Sequence, residues 1–548
     1  MKKLIIRSLG FALLFLVAAC HSNKDGNHAY RQLQTEKSVA YDKAPANRKT
    51  KAKKMESRYY AEEFDAGAAK KDIPREHNTE EYDKINENAF KIPQLNPLST
   101  FSIDVDAASY SNSRRMINNG QMPYKDAVRI EEFINYFDYD YPNPTGEHPF
   151  EVVTEVAACP WNTQHQLVHI GLQGKKLDYK NLAATNLVFL IDASGSMESA
   201  NKLPLLKSSL KLLLDQLGKN DRIAIVAYAG AAGLVLPSTP ATEKETILAA
   251  LDDVSAGGST AGGAGIKLAY KIAKENLIEG GNNRVILATD GDFNVGVSST
   301  SELVRTIEEK RKDGIYLTIC GFGMGNYKDG RMEQISNAGN GNYFYIDNIQ
   351  EAKKVFITEM RATLFTIAKD VKIQVEFNPN KVQAYRLIGY ENRLLANEDF
   401  NDDTKDAGEL GAGHTVTALY EIIPTGVQSS FIKNVDGLKY QKTKTSNAAN
   451  TNEIITLKLR YKKPSEETSK LITTVVKDNQ TTFEKTSTNF QFSASVAAFG
   501  MLLRESEFKG ETSYKAVMLW AKNAQGKDKE GYRAEFIKLV SACEAMAN

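Results

Sequence analysis

The sequence NLVFLIDASGSMESANKL, residues 186–203, joins an apolar run directly to a loop of aspartate and serine. The run is almost free of polar side chains, as in a strand that is covered on both faces of its sheet. Asp192, Ser194 and Ser196 follow at once, separated by small residues. Oxygen-bearing side chains directly after a strand predict a site at the carboxyl edge of a sheet. Such a site serves a nucleophile, a phosphate group or a metal ion, and other stretches must decide between them.

Strands and helices alternate regularly from residue 183 to about 360. Further apolar runs lie at residues 222–230, 284–290 and 316–323, and amphipathic segments separate them. Nearly all-apolar strands that alternate with helices are typical of a parallel sheet with helices on both faces. The predicted fold class is therefore α/β, with a doubly wound and mostly parallel sheet.

The chain of 548 residues is too long for one ordinary domain, and the sequence on either side of residues 183–360 differs in texture. Residues 91–182 predict an N-terminal α/β extension. Residues 361–548 predict a β-rich region, with the pattern of an antiparallel sandwich, that ends in helices. Residues 21–90 are polar with poor apolar periodicity, which predicts a disordered tether. The net charge of +1 gives no indication of nucleic-acid binding.

The N-terminus has the features of a targeting segment. Lys2, Lys3 and Arg7 precede an apolar stretch, residues 9–19, that is too short to span a bilayer. The stretch ends in VAAC, which resembles the lipobox of bacterial lipoproteins and implies lipidation of Cys20. Acyl chains would then anchor the protein to the bacterial cell envelope. No aspartate follows Cys20, which favours the outer membrane, with a periplasmic or a surface-facing orientation. The alternative is an ordinary secretory signal with an incidental cysteine.

Oxygen donors occur in three loops that follow strands or precede helices. One is the loop after residue 191, the second is SAGGSTAGGAG at 255–265, and the third is LATDGDFN at 287–294. The candidate ligands are Asp192, Ser194, Ser196, Thr260 and Asp290. Two carboxylates and three hydroxyls are hard donors that suit Mg²⁺ best, and Mn²⁺ or Ca²⁺ less well. A zinc site would use histidine or cysteine, and these loops contain neither.

DASGSM, STAGGAG and TDGDFN together resemble the metal-ion-dependent adhesion site of von Willebrand factor type A domains. The resemblance implies that Ser194 and Ser196 bind the metal directly. Thr260 and Asp290 would bind directly or through water, and Asp192 would act mostly through water and by orienting the loop. It also implies one open coordination position, which an acidic side chain of a protein partner would fill. The flanking sequences resemble a bacterial subfamily of such proteins with an N-terminal extension and a characteristic C-terminal region.

An enzyme is the first alternative. The sequence around Ser194 lacks the G-x-S-x-G motif of a nucleophilic serine, and the strand-end loops contain no histidine. The glycine-rich loop at 255–265 lacks the G-x-x-x-x-G-K-[ST] motif that would indicate a nucleotide site. We therefore predict a non-enzymatic lipoprotein that binds a protein partner through Mg²⁺, in adhesion or in the assembly of an envelope complex. The main alternative is a structural envelope lipoprotein whose metal site is not essential.

Three further features allow two interpretations each. Asp104 and Asp106 fit a strand end and a helix N-cap better than a metal site. The aromatic stretch FINYFDYDYP, residues 133–142, favours packing of a helix against a sheet over a carbohydrate-binding face. Cys159 and Cys543 allow a disulfide, which no other feature of the sequence supports.

Overall fold

The computed structural model describes residues 80–177, 183–258, 262–291, 300–325, 328–432, 436, 439–440 and 445–548. The leader, Cys20, most of the predicted tether and Thr260 lie outside the described residues. Residues 80–90, at the end of the predicted tether, pack onto the folded chain. Phe90 stacks on Phe431 with 5.3 Å between the ring centroids. No helix within the described ranges has the length and hydrophobicity that crossing a membrane requires.

The N-terminal part of the described chain forms strands that belong to two different sheets. Its elements are β1 (Leu98–Ser102), α1 (Ala108–Asn118), α2 (Ile130–Asn135), β2 (Phe150–Cys159) and β3 (Asn162–Gly174). Residues 127–142, AVRIEEFINYFDYDYP, have apolar residues at helical spacing, which predicts a helix up to Pro142, but α2 ends at Asn135. There the Asn135 amide donates to the Thr417 carbonyl and accepts from the Thr417 N–H, which ties the end of the helix to a strand.

The middle of the chain forms a six-stranded sheet. Its strands are β4 (Thr185–Asp192), β5 (Arg222–Tyr228), β6 (Ala232–Pro240), β7 (Asn282–Thr289), β8 (Ile315–Phe322) and β9 (Tyr343–Ile346). The order is β6-β5-β4-β7-β8-β9, and all pairs are parallel except β5 with β6. This confirms the predicted α/β fold with a mostly parallel sheet. The antiparallel strand β6 and the short strand β9 were not predicted.

Helices cover both faces of this sheet. They are α3 (Leu203–Leu214), α4 (Lys244–Asp253), α5 (Gly262–Glu275), α6 (Thr300–Lys312), α7 (Asp329–Ala338), α8 (Ile349–Lys353) and, after a π-helical segment Lys354–Glu359, α9 (Met360–Leu364). Along β4, Leu187 and Phe189 pack in the core on one side, and Val188 and Leu190 pack in the core on the other. Burial on both sides explains why the strand is uniformly apolar. We call residues 183–364 the α/β domain.

The C-terminal part of the chain is rich in strands and ends in helices, as predicted. Its elements are β10 (Thr366–Phe377), β11 (Val382–Ile388), β12 (Gly408–Gly411), β13 (Thr415–Pro424), β14 (Glu453–Lys462), β15 (Lys470–Lys477), α10 (Thr488–Leu503), α11 (Tyr514–Asn523) and α12 (Tyr532–Ala547).

Two antiparallel sheets pack face to face and form a β-sandwich. One has the order β1-β10-β14-β15, with β12 paired to β10, and the other has the order β11-β13-β3-β2. Val168 and Ile170 of β3 share one core with Ile373 and Val375 of β10. Each sheet therefore contains strands from both sides of the α/β domain. The segments 91–182 and 361–548, which the sequence describes as separate regions, build this sandwich together.

Aromatic residues from the 133–142 stretch fill the layer between the second sheet and the helices. Phe133, Tyr136 and Phe137 are buried in one core with residues of α10 and α12. The predicted packing role of this stretch is confirmed. Cys159 and Cys543 are buried in the same core as free thiols, so the disulfide that the sequence left open is not formed.

Buried ion pairs join the α/β domain to the elements around it. The Arg114 guanidinium on α1 lies 2.5 Å from Asp347 Oδ1 and 2.8 Å from Glu351 Oε2, and both carboxylates follow β9. Tyr136, the residue after α2, also donates to Glu351, at 2.7 Å. The Arg114 side chain is 1% exposed. Because water is excluded here, the guanidinium and the carboxylates are stabilised mainly by their contacts with one another.

A second buried cluster lies at the start of α1. Arg393 bonds to Asp106 at 3.1 Å and to Glu333 of α7 at 2.8 Å. Asp106 also accepts the Tyr343 N–H at 2.8 Å. The predicted N-cap role of Asp106 is wrong, since α1 begins at Ala108 without a side-chain cap. Asp106 instead forms an ion pair with Arg393, which is distant in sequence and which the local sequence does not indicate.

Replacing Arg114 with methionine would leave two buried carboxylates without their cation. We expect Arg114→Met to lower the free energy of unfolding by about 3–5 kcal/mol, the usual effect of breaking a buried pair. Lys125→Met removes an exposed pair with Glu505 and should cost less than about 1 kcal/mol. Urea unfolding followed by circular dichroism measures both variants. Equal losses would show that the Arg114 pairs do not hold the two parts together.

The Glu409 carboxyl on β12 contributes a pH-dependent contact with the α/β domain. It accepts from Thr366 at 2.9 Å and from Asn340 at 3.1 Å, and burial raises its pKa to about 7. The unfolded chain has the ordinary value of 4.5, so the folded state holds the proton more tightly. This stabilisation is complete below about pH 4.5 and is lost as the pH rises through about 7.

We expect the free energy of unfolding of the wild type to fall between pH 5 and pH 8 by about 1–2 kcal/mol more than that of Glu409→Gln. The side chain is partly exposed, so this value is below the full effect of the pKa shift. Urea titrations at both pH values measure the difference. A parallel pH dependence in the two proteins would contradict the assigned role of Glu409.

Candidate functional site

The candidate site lies where the chain reverses direction across the six-stranded sheet. From β4 the chain continues to β5 and β6 on one side, and it returns to β7 on the other side of β4. Strands β4 and β7 are parallel neighbours, with Ile191 beside Ala288. Asp192 ends β4 and Asp290 follows β7, so both carboxylates are at the same edge. This is the position at which open α/β sheets bind ligands.

Asp192 is fully buried and is held by side chains from two neighbouring strands. Its Oδ1 accepts the Ser194 N–H at 2.9 Å, and its Oδ2 accepts from the hydroxyls of Tyr228 and Thr289, both at 3.2 Å. Burial raises the pKa of the Asp192 carboxyl, and the hydrogen bonds from Ser194 oppose this. Asp192 therefore holds the start of the loop that follows it, and its part in metal binding stays a prediction.

The two serine hydroxyls are brought together by a short 3₁₀ turn, Gly195–Glu198. Ser194 Oγ lies 3.0 Å from Ser196 Oγ. Met197, between them and Glu198, is fully buried and anchors the turn in the core. Ser194 is buried, whereas Ser196 is exposed. The turn thus presents two neighbouring oxygens, one of which faces solvent.

The glycine-rich loop approaches the serine loop through its backbone. The Gly257 N–H donates to the Ala193 carbonyl at 2.8 Å, and the Gly195 N–H donates to the Gly258 carbonyl at 3.2 Å. Gly258 adopts φ +82°, a left-handed conformation that glycine accepts without strain. Thr260 is two residues further on and outside the described residues, so its role stays a prediction. The described part of its loop nevertheless lies against the serine turn.

Asp290 is fully buried and forms an ion pair that the sequence did not reveal. Lys202, just before α3, places its Nζ 2.9 Å from Asp290 Oδ2. A lysine in front of a helix is ordinarily a solvated residue, so no local signal indicated this contact. Tyr228 and Thr289 were also missed. Both end strands next to β4, and the rule that identified Asp192 as a strand-end residue could have found them.

The residues at this edge fit a hard divalent cation. The donors are carboxylate and hydroxyl oxygens, and one of the carboxylates, Asp290, already pairs with the Lys202 ammonium. Within the described ranges, no three His, Cys, Asp or Glu side chains are grouped closely enough to hold a metal ion. A metal here would therefore depend on the serine hydroxyls as well as on the two carboxylates.

The two histidines of β3 have partners within the β-sandwich and its helical layer. His165 Nδ1 lies 2.6 Å from Glu421 Oε1, and His169 Nε2 lies 2.9 Å from the Tyr141 hydroxyl. Ser194 is paired with Ser196 instead. The contacts of Ser194 and of these two histidines give no support to the alternative of a serine hydrolase.

Three family models match successive parts of the chain. They are described as "von Willebrand factor" for residues 76–169, "von Willebrand factor type A domain" for residues 186–358, and "Uncharacterized protein YfbK, C-terminal" for residues 362–546. Von Willebrand factor type A domains generally mediate interactions between proteins, and they commonly bind a divalent metal.

The similar proteins include a bacterial one that matches nearly the whole chain. "Uncharacterized protein YfbK" of Escherichia coli (strain K12) is 44% identical over 478 residues, which are 86% of this chain and 82% of that protein. "Inter-alpha-trypsin inhibitor heavy chain H4" of Homo sapiens is 31% identical over 147 residues, 25% of this chain and 16% of that protein. The solved structure "von Willebrand factor type A from Catenulispora acidiphila" has a TM-score of 0.38 and 14% identity, over 82% of this chain and 90% of that chain.

The hydroxyl of Tyr228 supports Asp192 and can be removed without changing the ring. We expect Tyr228→Phe to lower the free energy of unfolding by about 1 kcal/mol, because a buried carboxylate oxygen loses a donor. Tyr440 is 88% exposed, so Tyr440→Phe should change stability by less than about 0.5 kcal/mol. Urea unfolding of the metal-free protein compares the two. No loss in Tyr228→Phe would show that Asp192 does not need this bond.

Proposed function

Since this chain belongs to the YfbK family of bacterial proteins, with a von Willebrand factor type A domain followed by a YfbK-type C-terminal domain, we propose that it binds a protein partner through a divalent metal. The metal is Mg²⁺, with Mn²⁺ and Ca²⁺ as poorer matches to the same oxygen donors. The proposed ligand set is Asp192, Ser194, Ser196, Thr260 and Asp290.

The observation that carries this proposal is the meeting of oxygen donors at one edge of the sheet. The ends of β4 and β7 bring Asp192 and Asp290 to the same side, and the 3₁₀ turn adds two hydroxyls 3.0 Å apart. The serines and Asp290 would hold the ion, while Asp192 keeps the serine turn in place. A bound Mg²⁺ would supply a positive charge to which an oxygen ligand can be added.

The exposed side of the serine turn gives a partner access to the ion. Ser196 faces solvent, whereas Ser194 and both aspartates are buried. A partner that donates an aspartate or glutamate would add the negative oxygen that a hard cation prefers. Binding of this kind depends on the metal, because only the ion offers a coordination position to an acidic side chain.

We also propose that the protein acts in the bacterial cell envelope, anchored by acyl chains on Cys20. The support is the short apolar leader with the VAAC sequence. The polar segment after Cys20 would separate the anchor from the folded chain, and the residue after Cys20 favours the outer membrane. The biological role would be adhesion or the assembly of an envelope complex.

The metal site is tested by titrating Mg²⁺ into the full chain in a calorimeter. Asp290→Asn keeps the shape of the side chain and an acceptor for Lys202, but it removes the charge. We expect its Mg²⁺ affinity to fall by more than about tenfold. Even the loss of a group that only supports a metal ligand lowers metal affinity about 10–100-fold. Asp215→Asn, at an exposed surface pair with Lys244, is the matched control and should bind as the wild type does. Equal binding by the wild type and Asp290→Asn would refute the site.

The partner is sought by immobilising the wild type, Asp290→Asn and Asp215→Asn and adding envelope extract in Mg²⁺ or in EDTA. We propose that a specific protein is retained in Mg²⁺ by the wild type and by Asp215→Asn only. Capture that survives both EDTA and Asp290→Asn, with the fold intact by circular dichroism, would favour the structural alternative.

A further inference from the structure

Lys202 is set into the candidate site by its backbone. It lies directly before α3, and its carbonyl accepts the Leu206 N–H at 2.8 Å. Its own N–H donates to the Ser199 carbonyl at 2.9 Å. These two bonds fix the Lys202 backbone between the serine turn and the helix. The side chain is only 11% exposed, so the charged end of this lysine does not simply reach solvent.

The stem of Lys202 lies in a slot that a glycine provides. A Cβ added to Gly323 would lie 2.3 Å from Lys202 Cε, 2.7 Å from Cγ and 2.9 Å from Cδ. All three distances are shorter than carbon atoms normally approach one another, so the stem crosses the space that a side chain at 323 would need. Gly323 has φ +77°, and its carbonyl accepts the Tyr345 hydroxyl. The slot is therefore part of the folded backbone at the end of β8.

The ammonium at the end of this stem pairs with a proposed metal ligand. Lys202 Nζ lies 2.9 Å from Asp290 Oδ2, and the Asp290 side chain is fully buried. Charge-assisted hydrogen bonds of this kind are strong, and they are screened little by solvent. Asp290 is also one of only two carboxylates in the proposed ligand set. Its charge is thus already compensated by a cation that belongs to the protein.

We infer that Lys202 is a built-in competitor of the divalent metal: its ammonium occupies Asp290, and metal binding releases it from that carboxylate. Two cations that share one buried carboxylate repel each other strongly in a medium of low dielectric constant. The ion pair consequently lowers the affinity of the site for Mg²⁺ and keeps the two buried carboxylates tolerable in its absence. This inference rests on the metal site proposed above.

The first test compares metal affinity in the full chain. Lys202→Met keeps an unbranched apolar stem that fits over Gly323, but it lacks the charge. We expect its affinity for Mg²⁺ to be at least about tenfold higher than in the wild type, because the ion pair that opposes metal binding has been removed. Calorimetry measures the affinity for Mg²⁺, and paramagnetic resonance measures that for Mn²⁺, which should rise in the same way. Lys211→Met is the matched control: Lys211 lies on α3 and forms an exposed pair with Asp252 of α4, so its loss should not change either affinity.

The possible results of this titration separate the two proposals. Tighter binding by Lys202→Met than by the wild type supports the competition. If Lys202→Met binds metal and the wild type binds none, the proposed function fails while the competition stands. Equal or weaker binding by Lys202→Met, with normal binding by the wild type, overturns the competition and leaves the metal site. Absence of binding in both proteins overturns both.

The second test uses the wild type and does not depend on the folding of a variant. An acetylating N-hydroxysuccinimide ester is applied in EDTA and in saturating Mg²⁺, and each lysine is quantified by peptide mass spectrometry. We expect acetylation of Lys202 to rise in Mg²⁺ while that of Lys211 stays constant. Unchanged acetylation of Lys202 under conditions where calorimetry shows bound Mg²⁺ would overturn the release of its ammonium.

Discussion

The parallel pairing of β4 with β7 is the constraint on which the candidate site depends. It sets the end of one strand beside the end of the other, so two buried carboxylates meet although about a hundred residues separate them in sequence. Thr289 at the end of β7 donates to Asp192 at the end of β4, which ties the two strands at the edge itself. Burying two like charges is costly unless cations or donors compensate them. Tyr228, Ser194 and Lys202 supply that compensation.

In the sequence, the α/β domain lies between the two groups of strands that form the β-sandwich. Strands β1, β2 and β3 precede it and β10 to β15 follow it, yet both sheets mix strands of the two groups. The sandwich cannot form until the chain on both sides of the domain has come together. The buried pairs of Arg114 and Arg393 then bind the domain to this surrounding layer. Charged groups at such a boundary select one arrangement, because a displaced domain would leave them unpaired.

Several features of the fold followed directly from local sequence. The apolar run of β4 predicts burial on both faces, and its alternate residues do enter two different cores. The aromatic stretch after Ile130 predicts packing, and Tyr136 is fully buried. The end of α2 at Asn135 was missed, and the bonds of its amide to Thr417 in a distant strand have no signal in the local sequence. The role of Asp106 was missed for the same reason, since Arg393 is remote in sequence.

The local sequence was enough to predict the parallel α/β sheet and to place Asp192, Ser194, Ser196 and Asp290 at its carboxyl edge. Strand periodicity and the residues next to a strand end are local properties, so they can be recognised without a partner. Three features emerge from the folded chain alone: Lys202 pairs with Asp290, Tyr228 donates to Asp192, and the two flanking segments share one sandwich. Each of these depends on groups that become neighbours only when non-adjacent strands pair, and hydrophobic pattern does not encode which strands those are.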